Sequence, residues 1–323
     1  MKRWWVLLML CTLPALAGPV EEARSLMDEG RHERAAELLI DGLDAAPARA
    51  EALILLTTAL NAIGDYKRGV DYGEQAVEAD EKSSEAHLQY ARAVRIKMQN
   101  VSKMKAMFTI GTYKKQLAKA IELDSKNVEA RLEEIGFLIQ APGIAGGDKD
   151  KARRRIEEVK PLDWRQAMLM QGMLNQAEQD TDGAIATYNQ MIERDGEDFE
   201  ARQALAFTLQ SMERYKESDV HFAALLEGDH EGRALMARYQ LARSRILGEY
   251  EQQQAVDYLL GYIEKWKAEM GGLPSASHAF WRLGLAYAQL DRISDARQAL
   301  ERAVSLDDEN KQAKEALESL GKG

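Results

Sequence analysis

Residues 277–310 read SHAFWRLGLAYAQLDRISDARQALERAVSLDDEN. Phe280, Leu283 and Tyr287 recur at helical spacing, with Gly284 among them, and Ala296, Leu300 and Val304 do the same further on. Each set lies on one face of a helix, so the stretch reads as two amphipathic helices joined by a short polar turn. It closes on an apolar residue, two others and an aspartate, Val304-Ser-Leu-Asp307. The same ending appears at Val77–Asp80, Ile121–Asp124, Ile192–Asp195 and Leu226–Asp229. Asp195 and Asp229 are 34 residues apart, whereas Asp80 and Asp124 are 44 apart, one period plus ten. Ala35 and Gly69, and Ala184 and Ser218, keep the 34-residue register with small side chains. A period of this length in a helical composition predicts an array of stacked hairpins, since no single hairpin buries its own apolar face.

The pattern Phe280-x2-Leu283-Gly284-x2-Tyr287 followed by Ala296-x3-Leu300 resembles the tetratricopeptide repeat family. Leu53-x2-Leu56, Gly64-Asp65-Tyr66 and Gly69-x3-Gly73 carry the resemblance in an earlier copy, and Gly30, Ala35-x3-Leu39 and Pro47 in the first. It implies an all-α fold: an α-solenoid superhelix of about eight hairpins and a C-terminal capping helix. The copies are expected at 18–49, 50–83, 84–127, 128–164, 165–198, 199–232, 233–276 and 277–310, with the cap at 311–323.

The chain opens with Lys2-Arg3, an apolar run from Trp4 to Leu13 and the small residues Ala15-Leu16-Ala17. That is the layout of a signal peptide over 1–17 with cleavage near Ala17, so the expected location is the bacterial periplasm or the exterior. The chain has 43 Lys and Arg against 53 Asp and Glu, a net charge of −10; losing Lys2 and Arg3 makes it −12. A balance this acidic argues against nucleic acid as a partner. Cys11, the one cysteine, leaves with the signal, which excludes thiolate chemistry and disulfides afterwards.

Three copies depart from the pattern. Copy three has about ten additional residues near Met98–Gly111, expected ahead of its second helix. From Arg92 to Lys119 it contains Arg92, Arg95, Lys97, Lys103, Lys105, Lys114, Lys115 and Lys119 and no Asp or Glu. Val101, Met104, Met107, Phe108 and Ile110 are interleaved with them, as in a basic amphipathic segment. This reads either as a longer hairpin with solvated lysines or as a contact for an acidic partner or anionic surface. Copy four carries Gly143, Gly146 and Gly147 before Asp148, a widened turn in which Gly146 or Gly147 takes positive φ and Asp148 caps the next helix. Copy seven is extended through Trp266, with Gly271-Gly272 and Pro274 expected to end its helix.

His32, His87, His221, His230 and His278 form no metal-binding spacing, and the sequence holds no nucleophile elbow. The expectation is a protein without catalytic residues, metal or cofactor. The resemblance implies that the first helix of each hairpin lines a concave groove that takes an extended peptide. Carried over copy by copy, the groove would comprise Asn61, Arg92, Arg95, Leu169, Met173, Gln176, Gln203, Phe207, Gln210, Arg245 and Trp281. Amides there suit a peptide backbone, Met and Phe suit apolar side chains, and Arg suits a carboxylate. The expected function is a non-catalytic scaffold or adaptor binding a protein or peptide. A small or lipidic ligand in the superhelix, or attachment to an anionic membrane through 92–119, are the alternatives.

Overall fold

The structure is a computed structural model and describes residues 18–46, 48–227, 231–268 and 272–321. Residues 1–17, where a signal peptide is expected, and Pro47, Asp229, His230 and Gly271 lie outside the described residues. Seventeen α-helices and no strand occur among those described, and the fold is an all-α solenoid. It divides into two compact units between Asp163 and Trp164.

The first unit contains α1 (Pro19–Asp28), α2 (His32–Gly42), α3 (Arg49–Ala62), α4 (Tyr66–Ala79), α5 (Ser84–Asn100), α6 (Lys103–Leu123), α7 (Val128–Gln140) and α8 (Lys149–Val159). The second contains α9 (Trp164–Ala177), α10 (Thr181–Arg194), α11 (Phe199–Ser211), α12 (Tyr215–Ala224), α13 (Glu231–Leu247), α14 (Gln252–Lys265), α15 (Ala276–Gln289), α16 (Ile293–Leu306) and α17 (Lys311–Leu320). Odd and even helices pair as hairpins. Within each unit neighbouring hairpins also pack, α3 on α5 and α13 on α15 for example.

The recurring aspartates have a common structural task. Asp80, Asp124, Asp195 and Asp307 each stand just past the end of an even-numbered helix. Each side chain accepts the N–H two residues on, at 2.9–3.0 Å, and each carbonyl accepts the N–H three residues on. This Asx turn sets the helix end and delivers Ser83, Asn127, Asp198 or Asn310 as the N-cap of the next helix. The 34-residue period is thus the period of a helix stop joined to a helix start. Two copies add a rung: Ser84 and Ser277 donate to Ala120 and Ala303 carbonyls, and Asn127 and Asn310 donate to those serine hydroxyls at 2.9 Å.

Inside the hairpins the turn requires one left-handed residue. Gly30 and Gly64 supply it at φ +75° and +73°, but Gln179, Glu213 and Asp291 hold it without glycine. At the crossings glycine is needed for another reason. A Cβ on Gly284 would stand 2.5 Å from Leu300 Cγ, and one on Gly73 would stand 3.0 Å from Tyr90 Cα.

The additional residues of copy three are not an insertion ahead of its second helix. They lengthen both helices, α5 to 17 residues and α6 to 21, because Lys, Met, Ala and Gln sustain helix and only Val101-Ser102 interrupts it. In copy four Gly146 takes φ +104°, and the Asp148 side chain accepts the Lys151 N–H at 2.8 Å. In copy seven α14 stops at Lys265, ahead of the glycines, and Trp266 packs beside Tyr262 and Tyr239 rather than extending the helix.

Candidate functional site

An apolar cleft of about 480 Å³ opens in the first unit, between the end of α5, the start of α6, α7 and the glycine-rich turn after α7. Met98, Ile110, Leu132, Phe137 and Pro142 supply its apolar walls, and Gly136 lies on α7 among them. Beyond its own helix and chain neighbours no atom stands within 4 Å of where a Gly136 side chain would begin, so a side chain there would start in open space.

Arg92 and Arg95 line the same cleft, brought there from consecutive turns of α5. Both are paired. Arg92 meets Glu129 at 2.8 Å and Glu133 at 3.7 Å; Arg95 meets Glu133 at 2.5 Å. Glu133 also accepts from the hydroxyl of Tyr113 at 3.3 Å. Burial first, and the Glu133 carboxylate second, push the Tyr113 phenol far above its ordinary range, so it stays a neutral donor. Tyr113 packs on Phe137 at 5.1 Å between ring centres, and Lys114 lies over the same ring while donating to the Ala145 carbonyl at 3.3 Å. The cleft therefore has a fixed polar border of two Arg–Glu pairs around an apolar floor. It suits an apolar side chain or short apolar segment whose backbone meets the charged border.

A larger space of about 900 Å³ lies against α1, α3 and the start of α5. Arg24, Asp28, Arg49, Glu51 and Glu85 dominate it, and Arg24 is paired with Glu51 at 2.5 Å. Met27, Ile54 and Leu55 share that lining, so the space is mixed in character and less apolar than the cleft beside α7.

The other residues expected in the groove are mostly engaged between helices. Asn61 donates to the backbone and side-chain carbonyls of Gln89 at 2.9 and 3.1 Å. Gln176 donates to Thr208 at 2.6 Å, and Gln210, 34 residues on, donates to Ser244 at 2.9 Å. These amides are rungs between successive odd-numbered helices. Gln210 is 4% exposed and Arg245 7%, so neither is available to a groove ligand. Arg245 is instead held by Asp219 at 3.3 Å and Glu251 at 3.0 Å, above the ring of Tyr258. Phe207 packs edge-on against buried Phe222, and Leu169 packs beside Met168 and Tyr188. Met173, Gln203 and Trp281 remain half-exposed, the last with Arg282 over its ring at 4.7 Å.

The basic residues divide in the same way. Lys119 pairs with Glu122 at 2.7 Å, and Lys97 is half-buried, while Lys103, Lys105, Lys114 and Lys115 are exposed along α6. Sequence reading located Arg92 and Arg95, and Ile110 as part of the basic amphipathic segment, but not Met98, Phe137 or Gly136. Their apolar spacing is indistinguishable from core until the lengthened hairpin is seen to leave a gap beside α7.

Among the described residues no group of three or more His, Cys, Asp or Glu is placed to hold a metal ion, and no helix is long and apolar enough to cross a membrane. Tetratricopeptide repeat family models match residues 20–95, 166–198 and 277–310. No curated protein matches the sequence. Among solved structures, a tetratricopeptide repeat protein from Parabacteroides merdae aligns with 83% of this chain and 97% of its own, at 14% identity and a TM-score of 0.55. A thermophilic protein of the same repeat type from Thermus thermophilus aligns over 59% of this chain and 97% of its own, at 18% identity and a TM-score of 0.52. The Cut9–Hcn1 hetero-tetramer of the APC/C covers 94% of this chain with 55% of its own, at 14% identity and 0.55. Identities this low speak to the fold alone. Family models matched near both ends and in the middle, on stacked hairpins with a shared helix-stop turn, identify the chain as a tetratricopeptide repeat protein.

Proposed function

We propose that the protein is a non-catalytic scaffold that holds a partner polypeptide in the cleft between α5, α6 and α7. The observation carrying this reading is an apolar floor bordered by ion pairs already satisfied within the protein. A border whose charges are already paired has little to reorganise when a ligand arrives, so apolar burial is the main gain. The repeat fold supports the same reading, because stacked hairpins present extended surfaces used to bind other proteins. The layout of residues 1–17 supports export, and we place the scaffold in a bacterial envelope; cell fractionation showing the protein in the cytoplasm would overturn that location.

The binding test uses Gly136. A Gly136→Leu side chain projects into the cleft and occupies it, whereas Gly136→Ala leaves most of the space free. Peptides selected from a displayed library by the wild type should bind Gly136→Ala comparably and lose at least tenfold in affinity for Gly136→Leu. Peptides that bind all three chains equally would sink the assignment. The cleft volume also falls within the range of small-molecule sites, which favours one second reading, a compact apolar ligand. Native mass spectrometry would show it as added mass absent from Gly136→Leu.

A further inference from the structure

We propose that the outward face of α6 at its N-terminal end docks on an anionic membrane surface, a second contact independent of the cleft. The hairpin of α5 and α6 is longer than those of α3 and α4 or α9 and α10, whose helices all have 14 residues. Its additional three and seven residues extend the two helices by about 5 and 10 Å. On the lengthened α6, Met104, Met107 and Phe108 are 73%, 54% and 81% exposed. They lie on the side away from Tyr113 and Leu117, which face the core. Single exposed apolar residues are ordinary, but three within five positions on one face form a patch that calls for an occupant.

Charge selects the occupant. Lys103 and Lys105 flank the patch, and Lys114 and Lys115 follow about 10 Å along the helix. Three acidic groups beside this hairpin are already paired: Glu129 and Glu133 with Arg92 and Arg95, and Glu122 with Lys119. Lys103, Lys105 and Lys115 have no ion pair among the described residues, so their charge faces outward unopposed. Met and Phe at the tip with lysines beside and behind them match the depth profile of a lipid interface, where apolar side chains enter the acyl boundary and ammonium groups meet phosphates. The patch is a helix face without walls, which a bilayer accepts without shape complementarity. The chain as a whole carries −10, so an anionic surface repels most of it and favours approach by this end.

Hydrogen–deuterium exchange of the full chain tests the contact locally. Vesicles containing phosphatidylglycerol should protect amides 103–111, and vesicles of phosphatidylcholine alone should not. Insertion of residues 1–17 would not register in that segment. Lys103→Gln with Lys105→Gln should weaken this protection roughly 25-fold in lipid concentration, at about fivefold per lysine. Met104→Ser with Phe108→Ser should weaken it at least tenfold. All four positions are exposed, so unchanged circular dichroism is expected for both variants. Absence of protection with phosphatidylglycerol, or equal protection by phosphatidylcholine, would overturn the proposal. So would protection by polyglutamate and not by vesicles, which would assign the face to an acidic polypeptide.

Discussion

Alanine in place of Gly172 and of Gly136 should shift stability in opposite directions, although both glycines sit inside helices. Helix preference alone favours alanine at each site by about 0.5–1 kcal/mol, because glycine loses more backbone freedom on folding. At Gly136 nothing lies within 4 Å of the new methyl, so this gain should appear intact. At Gly172 the methyl would overlap the ring of Tyr188 on α10 and meet its hydroxyl oxygen at 2.6 Å. Tyr188 is 1% exposed, and burial pushes its phenol up to about 12, so the ring has no solvent to swing into. Overpacking of this kind costs about 1–3 kcal/mol, which exceeds the helix term and leaves a net loss of about 1–2 kcal/mol. Urea unfolding followed by far-ultraviolet circular dichroism reads both effects. A change of about 1 kcal/mol moves the midpoint by roughly 0.3–1 M at the slopes usual for such domains. A Gly172→Ala midpoint at or above wild type would refute the reasoning, as would a Gly136→Ala midpoint below it.

Two further outcomes follow from named contacts. Asp198 caps α11 and accepts two hydrogen bonds from Arg165, both at 2.8 Å. Burial pushes its carboxyl upward, but Arg165 and the Ala201 amide outweigh that and hold it below the usual carboxylate range. A depressed carboxyl stabilises the fold above its unfolded-state value and stops doing so as pH falls through the folded-state value. Arg165→Ala should therefore cost about 2 kcal/mol at pH 7, with the gap to wild type closing below about pH 4; a gap constant across that range in urea titrations would contradict the assignment. Glu213 occupies the left-handed turn position at φ +60° without glycine's freedom. Glu213→Gly should raise the thermal midpoint through a net gain of about 0.5–1 kcal/mol, since relief of the left-handed conformation exceeds glycine's added entropy loss; a lowered midpoint would show that the side chain contributes more than the strain.

Much of the fold was legible because its period is carried by small and acidic residues that tolerate little exchange. Gly284 and Gly73 mark helix crossings by being too small for anything but close approach. Asp80, Asp124, Asp195 and Asp307 were visible as a repeated ending, although their role as Asx turns required the backbone. The left-handed residues Gln179, Glu213 and Asp291 left no trace in the sequence, because the packing of flanking helices imposes a conformation their composition disfavours. The groove residues were least legible. Gln176 and Gln210 are polar and regularly spaced, as ligand-binding positions would be, yet the same spacing brings each against the next odd-numbered helix.

The basic stretch from Arg92 to Lys119 shows why counting charge along the chain misplaces it. Glu129 and Glu133 stand more than thirty residues beyond Arg92 and Arg95 in sequence but against them in space. Pairing removes the two arginines from the free positive charge and makes them the braces between α5 and α7. Reversing both to glutamate would set two new carboxylates against two existing ones, so the cleft would deform before any ligand was offered. Loss of binding in that double variant would then report a broken wall as readily as a lost contact. Gly136→Leu avoids the ambiguity, since it fills the same cleft from α7 and leaves every ion pair in place. What remains cationic without a carboxylate partner is the exposed set along α6, Lys103, Lys105 and Lys115, with Lys114 held to a carbonyl. One lengthened hairpin thus carries two surfaces of different character, and substitutions that abolish one should leave the other intact.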